Sequence, residues 1–326
     1  MLRYIIFSIF CIIILGCTTP TNTKIQASAD DRRYQSRQLP GISYKLIKKL
    51  DAISSLVIPP ANQRGIIKPD FPSALALLNE IEDDCKLGCN NYEKSQIHRY
   101  YGYIYYRLNT LEKAKSAYDQ VLAYSPDIPV AVELDTLRAA LNTAVKLQKL
   151  EEIRPYLTKI EALAPQQFGT IAYVEAVELY DEGFKQGALR VIDVLIDKYK
   201  NQEASATYYS LKISILNSQG KTDEIPVLEK EIEKFEAYNE TLVYSVTPTF
   251  PKKAIQSKIN GYCTVEFSIR HTGKTYEHKI VDCPNPIFIP SSIEAAKMFI
   301  YRPKIVNGKA INIKGVRNRF TFNYGN

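Results

Sequence analysis

The apolar residues change period partway along the chain, and this limits the fold more than any other feature. From about Asp51 to Asn239 they recur at helical spacing, whereas from Tyr244 onward the pattern changes character. The clearest stretch beyond the change is 261–269. Cys263, Val265, Phe267 and Ile269 fall on one face, and Tyr262, Thr264, Glu266 and Ser268 on the other. That alternation is the period of a strand with one buried side. One chain must therefore build two kinds of structure.

The first residues form a separate element. MLRYIIFSIFCIIILGC carries one charge, Arg3, before a run from Tyr4 to Leu15 that is apolar except for Ser8. A membrane span needs about 20 such residues, and this run has the proportions of a signal-peptide core. The ending Leu15-Gly16-Cys17 resembles the lipobox of bacterial lipoproteins. The resemblance implies removal of residues 1–16 and acylation of Cys17. The chain would then be lipid-anchored and facing the periplasm in a Gram-negative cell envelope. Thr18 stands where Asp would retain an enteric-type lipoprotein in the inner membrane, so the outer membrane is favoured. Residues 17–50 read as the lipidated cysteine and a polar tether with a reach of roughly 30 Å.

Beyond Cys17 four cysteines remain: Cys85, Cys89, Cys263 and Cys283. An even number in an exported chain points to disulfides. Zinc is the rival reading, but the chain has only three histidines and no zinc-like spacing. Cys85 and Cys89 flank a glycine-containing turn after a helical stretch. A bridge there would cap the helix end.

Charge is uneven. The chain is +7 overall, yet from Tyr244 to the end there are 13 Lys+Arg against 4 Asp+Glu. A basic exported domain can meet anionic lipid head groups, anionic polysaccharide or an acidic protein surface. Nucleic acid is not expected as a partner outside the cytoplasm.

Residues 51–240 are read as helical repeats. Residues 95–128 form a 34-residue unit that resembles a tetratricopeptide repeat. Tyr101, Gly102 and Tyr105 occupy its first-helix positions, Ala114, Tyr118 and Val121 the second, and Pro126 closes it. The small residues let the paired helices approach. Weaker copies lie at 134–167, 169–202 and 206–239, with Gly183 and Gly220 in the turns of the last two. FPSALALLNEIEDD upstream reads as the second helix of another copy. The expectation is an α-helical, solenoid-like body.

Residues 244–326 resemble the C-terminal domain of the TonB family, periplasmic proteins that grip outer-membrane transporters. The matching elements are Pro248-Thr249-Phe250-Pro251 with Ala254, then Gly261 opening a strand to Ile269. A turn at His271-Thr272-Gly273 leads to a second strand from Lys274 to Cys283. A helix begins around Pro290, followed by Tyr301-Arg302-Pro303, the turn Asn307-Gly308, and a last strand through Phe322. The fold class is thus α+β and multidomain: a helical repeat body, then a small α+β domain with an antiparallel sheet. The resemblance implies that Cys263 and Cys283 are bridged across paired strands. It further implies that an extended partner segment adds to the sheet edge as another strand. Pro248, Phe250, Pro251, Arg317, Arg319 and Phe320 are the residues expected to meet that partner, with the edge on the last strand. Thr247 stands where the archetypal member has glutamine, so partner choice can differ.

The resemblance does not extend to the motor end of a TonB. The N-terminal run holds no histidine, and the 17 prolines are scattered rather than gathered in a spacer. No catalytic constellation, cofactor motif or metal-ligand spacing stands out, and a non-enzymatic protein is expected. The leading expectation is a lipoprotein adaptor that binds an envelope partner through the TonB-like domain and another protein through the repeats. The envelope partner would be a TonB-dependent transporter or a similar protein. A scaffold in envelope or secretion-system assembly is the alternative, and a true energy transducer ranks third.

Overall fold

The computed structural model describes residues 37, 39–58, 68–86, 88–235 and 242–324. The signal segment, Cys17 and the first part of the expected tether lie outside the described residues. The end of that tether stretch, 17–50, is instead helical. Helix α1 spans Tyr44–Val57 because Leu46, Leu50, Ile53 and Val57 recur on one face, and all four are buried. Among the described residues no helix is long and apolar enough to cross a membrane.

The chain divides into two compact units, residues up to Pro165 and residues from Gln166 on. Among the described residues the first holds three helix hairpins: α1 with α2 (Phe71–Cys85), α3 (Asn91–Arg107) with α4 (Leu111–Ala123), and α5 (Val130–Lys146) with α6 (Ile153–Leu163). Local signals start these helices. The Asp70 side chain accepts from Ser73 N, and Pro72 lies in the first turn of α2. Asn90 and Glu93 form a capping box at α3. A carboxylate oxygen of Glu93 also accepts from Ser43 N at 2.8 Å, which ties the start of α1 to α3.

The α3–α4 hairpin is the 95–128 unit. Tyr101, Gly102, Ala114, Tyr118 and Val121 are all buried in it. A Cβ at Gly102 would stand 2.6 Å from Cδ1 of the Tyr118 ring, so the small residue is required for this helix approach. Cys85 and Cys89 are bridged at the end of α2, with Cα atoms 4.8 Å apart.

The second unit begins with two more hairpins, α7 (Phe168–Asp181) with α8 (Lys185–Tyr199) and α9 (Ser205–Ser218) with α10 (Ile225–Glu233). Gly183 and Gly220 lie in their turns. The same unit contains the C-terminal sheet, a grouping that the change of period near residue 240 does not foretell. After β1 (Leu242–Tyr244) and the short α11 (Lys252–Gln256) come β2 (Gly261–Ile269) and β3 (Thr275–Asp282). Helix α12 spans Ile289–Lys297. Then follow β4 (Ile300–Tyr301), β5 (Lys304–Val306), β6 (Lys309–Ile311) and β7 (Ile313–Phe322). The main sheet is antiparallel with order β3-β2-β7, β1 pairs with β4, and β5 pairs with β6.

The alternation in β2 sets the core. Cys263, Val265, Phe267 and Ile269 are at most 1% exposed and pack with Ala295 and Ala296 of α12, Phe288, Phe299, Phe320 and Phe322. Burying these rings and aliphatics supplies most of the domain's stability, at roughly 25 cal/mol per Å² of apolar surface removed from water.

Candidate functional site

Strand β7 bonds to β2 on one side, and among the described residues no strand pairs with the other. Its register against β2 runs without a slip from Phe267↔Val316 to Gly261↔Phe322. The irregularity falls earlier, between Phe267↔Val316 and Ile269↔Ile313, where Gly315 adopts φ +74°. The other sheet edge, β3, is different. Its register against β2 slips twice, and Glu277 at φ 55° sits within one slip. Bulges of that kind twist an edge away from pairing. The regular edge available to an incoming strand is therefore Val316 to Phe322.

Side chains of β7 divide between two faces. Phe320 is 5% exposed and stands opposite Cys263 in the core, so it offers a partner only its backbone. Arg317 and Arg319 stand on the solvent face with side chains 62% and 59% exposed. Arg317 Nε donates to Glu266 Oε2 at 2.8 Å. The Arg319 guanidinium lies 4.2 Å from the centre of the Tyr262 ring, and its Nη2 is 3.8 Å from Asp282 Oδ2. Tyr262 in turn donates its hydroxyl to Asp282 Oδ2 at 2.9 Å, which holds the phenol above its usual pKa. The acidic complement of the arginines is thus built into β2 and β3. Antiparallel pairing carries this signal, since Thr264 faces Arg319 and Glu266 faces Arg317 in register.

The proline element sits at the Phe322 end of β7. The Phe250 ring meets Phe288 and Phe322 edge-on, with centroids 5.9 and 5.6 Å away. Pro248 and Pro251 flank it and are partly exposed. The element thus packs against the end of the open strand through Phe322, which is itself buried. Behind it, Cys263 and Cys283 are bridged with Cα atoms 4.2 Å apart. This covalent tie joins β2 to the end of β3.

The residues that seat this domain in its unit lie far away in sequence. Lys274 Nζ is 2.8 Å from Glu178 Oε2 and 3.7 Å from Asp181 Oδ2, both on α7. Burial works against the lysine's charge, yet the two carboxylates outweigh it and hold the ammonium above its ordinary pKa. Ser214 donates to the His271 carbonyl at 2.8 Å, and Asn217 to the Gly308 carbonyl at 2.8 Å, both from α9. Ile305 packs on Tyr209, Ile213, Leu216, Ile225 and Leu228. No local motif marks these residues, and their pairing follows only from the tertiary fold.

Each of the three histidines packs against neighbouring side chains. His278 Nε2 lies 3.0 Å from Thr275 Oγ1, His271 packs edge-on against Tyr180, and His98 stacks on Tyr124. Burial lowers the pKa of each. Among the described residues no group of three or more His, Cys, Asp or Glu side chains is placed to hold a metal ion. In the first unit a pocket of about 240 Å³ beside the Cys85–Cys89 bridge is lined by Glu82, Lys94, His98 and Tyr124 among others.

A comparison with curated proteins returned no match. Two solved structures of MamA AMB-1 are similar at 15% and 16% identity. They cover 60% and 58% of this chain and 100% and 91% of their own, with TM-scores of 0.32 and 0.33. Residues 246–324, from just before the proline element to the end of the open strand, match the family described as Gram-negative bacterial TonB protein C-terminal.

Proposed function

We propose that this protein is an adaptor of the Gram-negative envelope, anchored by lipid at Cys17 and non-enzymatic. Its C-terminal domain binds an extended segment of an envelope partner as a fourth strand beside β7, and its helical hairpins bind a second protein. The observation that carries this reading is the regular, unpaired edge from Val316 to Phe322 in a segment that matches the TonB C-terminal family. Backbone groups along such an edge supply affinity, and pockets for alternate side chains supply selectivity. Arg317, Arg319 and the Phe250 element flank the incoming strand and select its sequence. A TonB-dependent transporter is the partner class that the family match favours.

The experiment is photo-crosslinking in envelope preparations from position 321, an exposed residue of β7. A crosslinker at position 279 on β3 serves as the control. Capture of one extended segment from position 321 and not from 279 supports the reading. Equal capture from both positions, or capture only by the helical hairpins, overturns it. The mass of the mature protein tests the anchor, since cleavage before Cys17 and acylation are expected together.

A further inference from the structure

The β5–β6 hairpin has two faces, and only one is explained by the fold. Its register, Lys304↔Ile311, Ile305↔Ala310 and Val306↔Lys309, places Ile305 and Ala310 on one side. That side is seated, since Ile305 packs on the cluster of α9 and α10. Lys304, Val306, Lys309 and Ile311 then share the opposite side, because paired and alternate residues of a ladder point the same way. Val306 is 41% exposed and Ile311 is 38% exposed.

Neither Lys304 nor Lys309 has a carboxylate partner among the described residues, unlike Lys274, Lys297, Arg317 and Arg319 of the same domain. The acid nearest the hairpin turn is Glu229 of α10, whose Oε2 would lie 3.5 Å from a Cβ at Gly308. Glu229 forms no ion pair with them. Cations left without partners and interleaved with exposed aliphatics make a surface that is both basic and apolar. It is held rigidly from behind by α9 through the Asn217–Gly308 hydrogen bond.

We propose that this face of the β5–β6 hairpin docks on an anionic phospholipid surface. Val306 and Ile311 enter the head-group layer while Lys304 and Lys309 meet lipid phosphates. An acidic protein surface would satisfy the lysines alone. The aliphatics between them favour an interface that has charge outside and hydrocarbon just beneath.

The chain contains no tryptophan, so one introduced indole is a clean reporter. The full chain carrying Val306→Trp is mixed with vesicles of 70% phosphatidylcholine and 30% phosphatidylglycerol (about, by mole) and with pure phosphatidylcholine vesicles. An emission blue shift is expected with the anionic vesicles and not with the neutral ones. It should weaken about fivefold in apparent affinity for each of Lys304→Gln and Lys309→Gln, and fade as salt rises. A chain carrying Val281→Trp instead, an exposed β3 position, should show no shift. Any lipid at Cys17 anchors both reporter chains alike, so the contrast reads the hairpin. If Val306→Trp alters the fold by circular dichroism, Ile311→Trp replaces it. Absence of the shift, the same shift at position 281, or a shift with polyglutamate but not with anionic vesicles would overturn the proposal.

Discussion

The ion pair between Lys274 and Glu178 gives the sharpest quantitative test of how the C-terminal domain is seated. Its side chains are only 13% and 22% exposed, and the N–O distance is 2.8 Å. Glu178→Ala removes the nearer carboxylate and leaves the ammonium with Asp181 at 3.7 Å as its remaining partner. A hydrogen bond to a charged group contributes ~1.5–3 kcal/mol, and orphaning one charge of a fully buried pair costs ~3–5 kcal/mol. Because Asp181 compensates and a window to solvent remains, the expected loss is about 2–3 kcal/mol, a factor of roughly 30–150 in the equilibrium. Glu178→Met with Lys274→Met removes both charges while keeping volume, and should restore stability to within ~1 kcal/mol. The assay is urea unfolding of the full chain, with amide exchange at the Tyr301 N–H, which donates to the Gly273 carbonyl beside Lys274. The contribution of Lys274 has a defined pH range. Its pKa is raised in the fold, so its stabilisation is present just below the unfolded value near 10.4 and is lost as pH rises through the folded value. Burial holds the Glu178 carboxyl above its ordinary pKa, so the pair also weakens as pH falls towards that raised value. A double-mutant coupling below ~0.5 kcal/mol would mean that the pair behaves like a surface ion pair, and would refute the reasoning.

Four further outcomes are expected. Replacing Cys263 and Cys283 together with Ala opens a loop closed over 20 residues and should destabilise the domain by ~3 kcal/mol, read as a lower urea midpoint. The same change at Cys85 and Cys89, only four residues apart, should cost less. Gly102→Ala drives a methyl group into the buried Tyr118 ring and should cost ~1–3 kcal/mol, read as a lower urea midpoint. Burial disfavours the Glu93 charge, yet the backbone N–H groups of Ser43 and Asn90 outweigh it and hold the carboxyl below its ordinary pKa. Its stabilisation is present above pH ~4.3 and lost as pH falls through the lowered value, and Glu93→Gln should flatten that acid limb in a pH series of thermal melts.

The strands were legible because alternation is a local property. Cys263 to Ile269 named its own buried face, and the glycines and prolines of the C-terminal segment marked its turns. The α3–α4 hairpin was legible for the same reason, since Gly102 and Tyr118 must meet wherever two such helices pair. The start of α1 was not. Pro40 and Gly41 read as a loop and Tyr44 is 72% exposed, so the helix shows itself only through the spacing of Leu46, Leu50 and Ile53. The partners of Arg317 and Arg319 could have been read by writing β2 against β7 in antiparallel register, which brings Glu266 and Thr264 opposite them. The seat of the sheet on α7 and α9 could not. Lys274 and Glu178 are 96 positions apart, and neither lies in a pattern that distinguishes it from any other surface charge.

The bridge from Cys263 to Cys283 also determines how the sheet would behave under mechanical load. A tug on a strand docked at β7 travels across the backbone ladder into β2, and from β2 into β3 through a covalent bond. The two joints differ in kind: one can unzip, the other cannot. Rupture would begin at the β2–β7 seam or at the visiting strand itself, leaving the β2–β3 ribbon whole and ready to re-form.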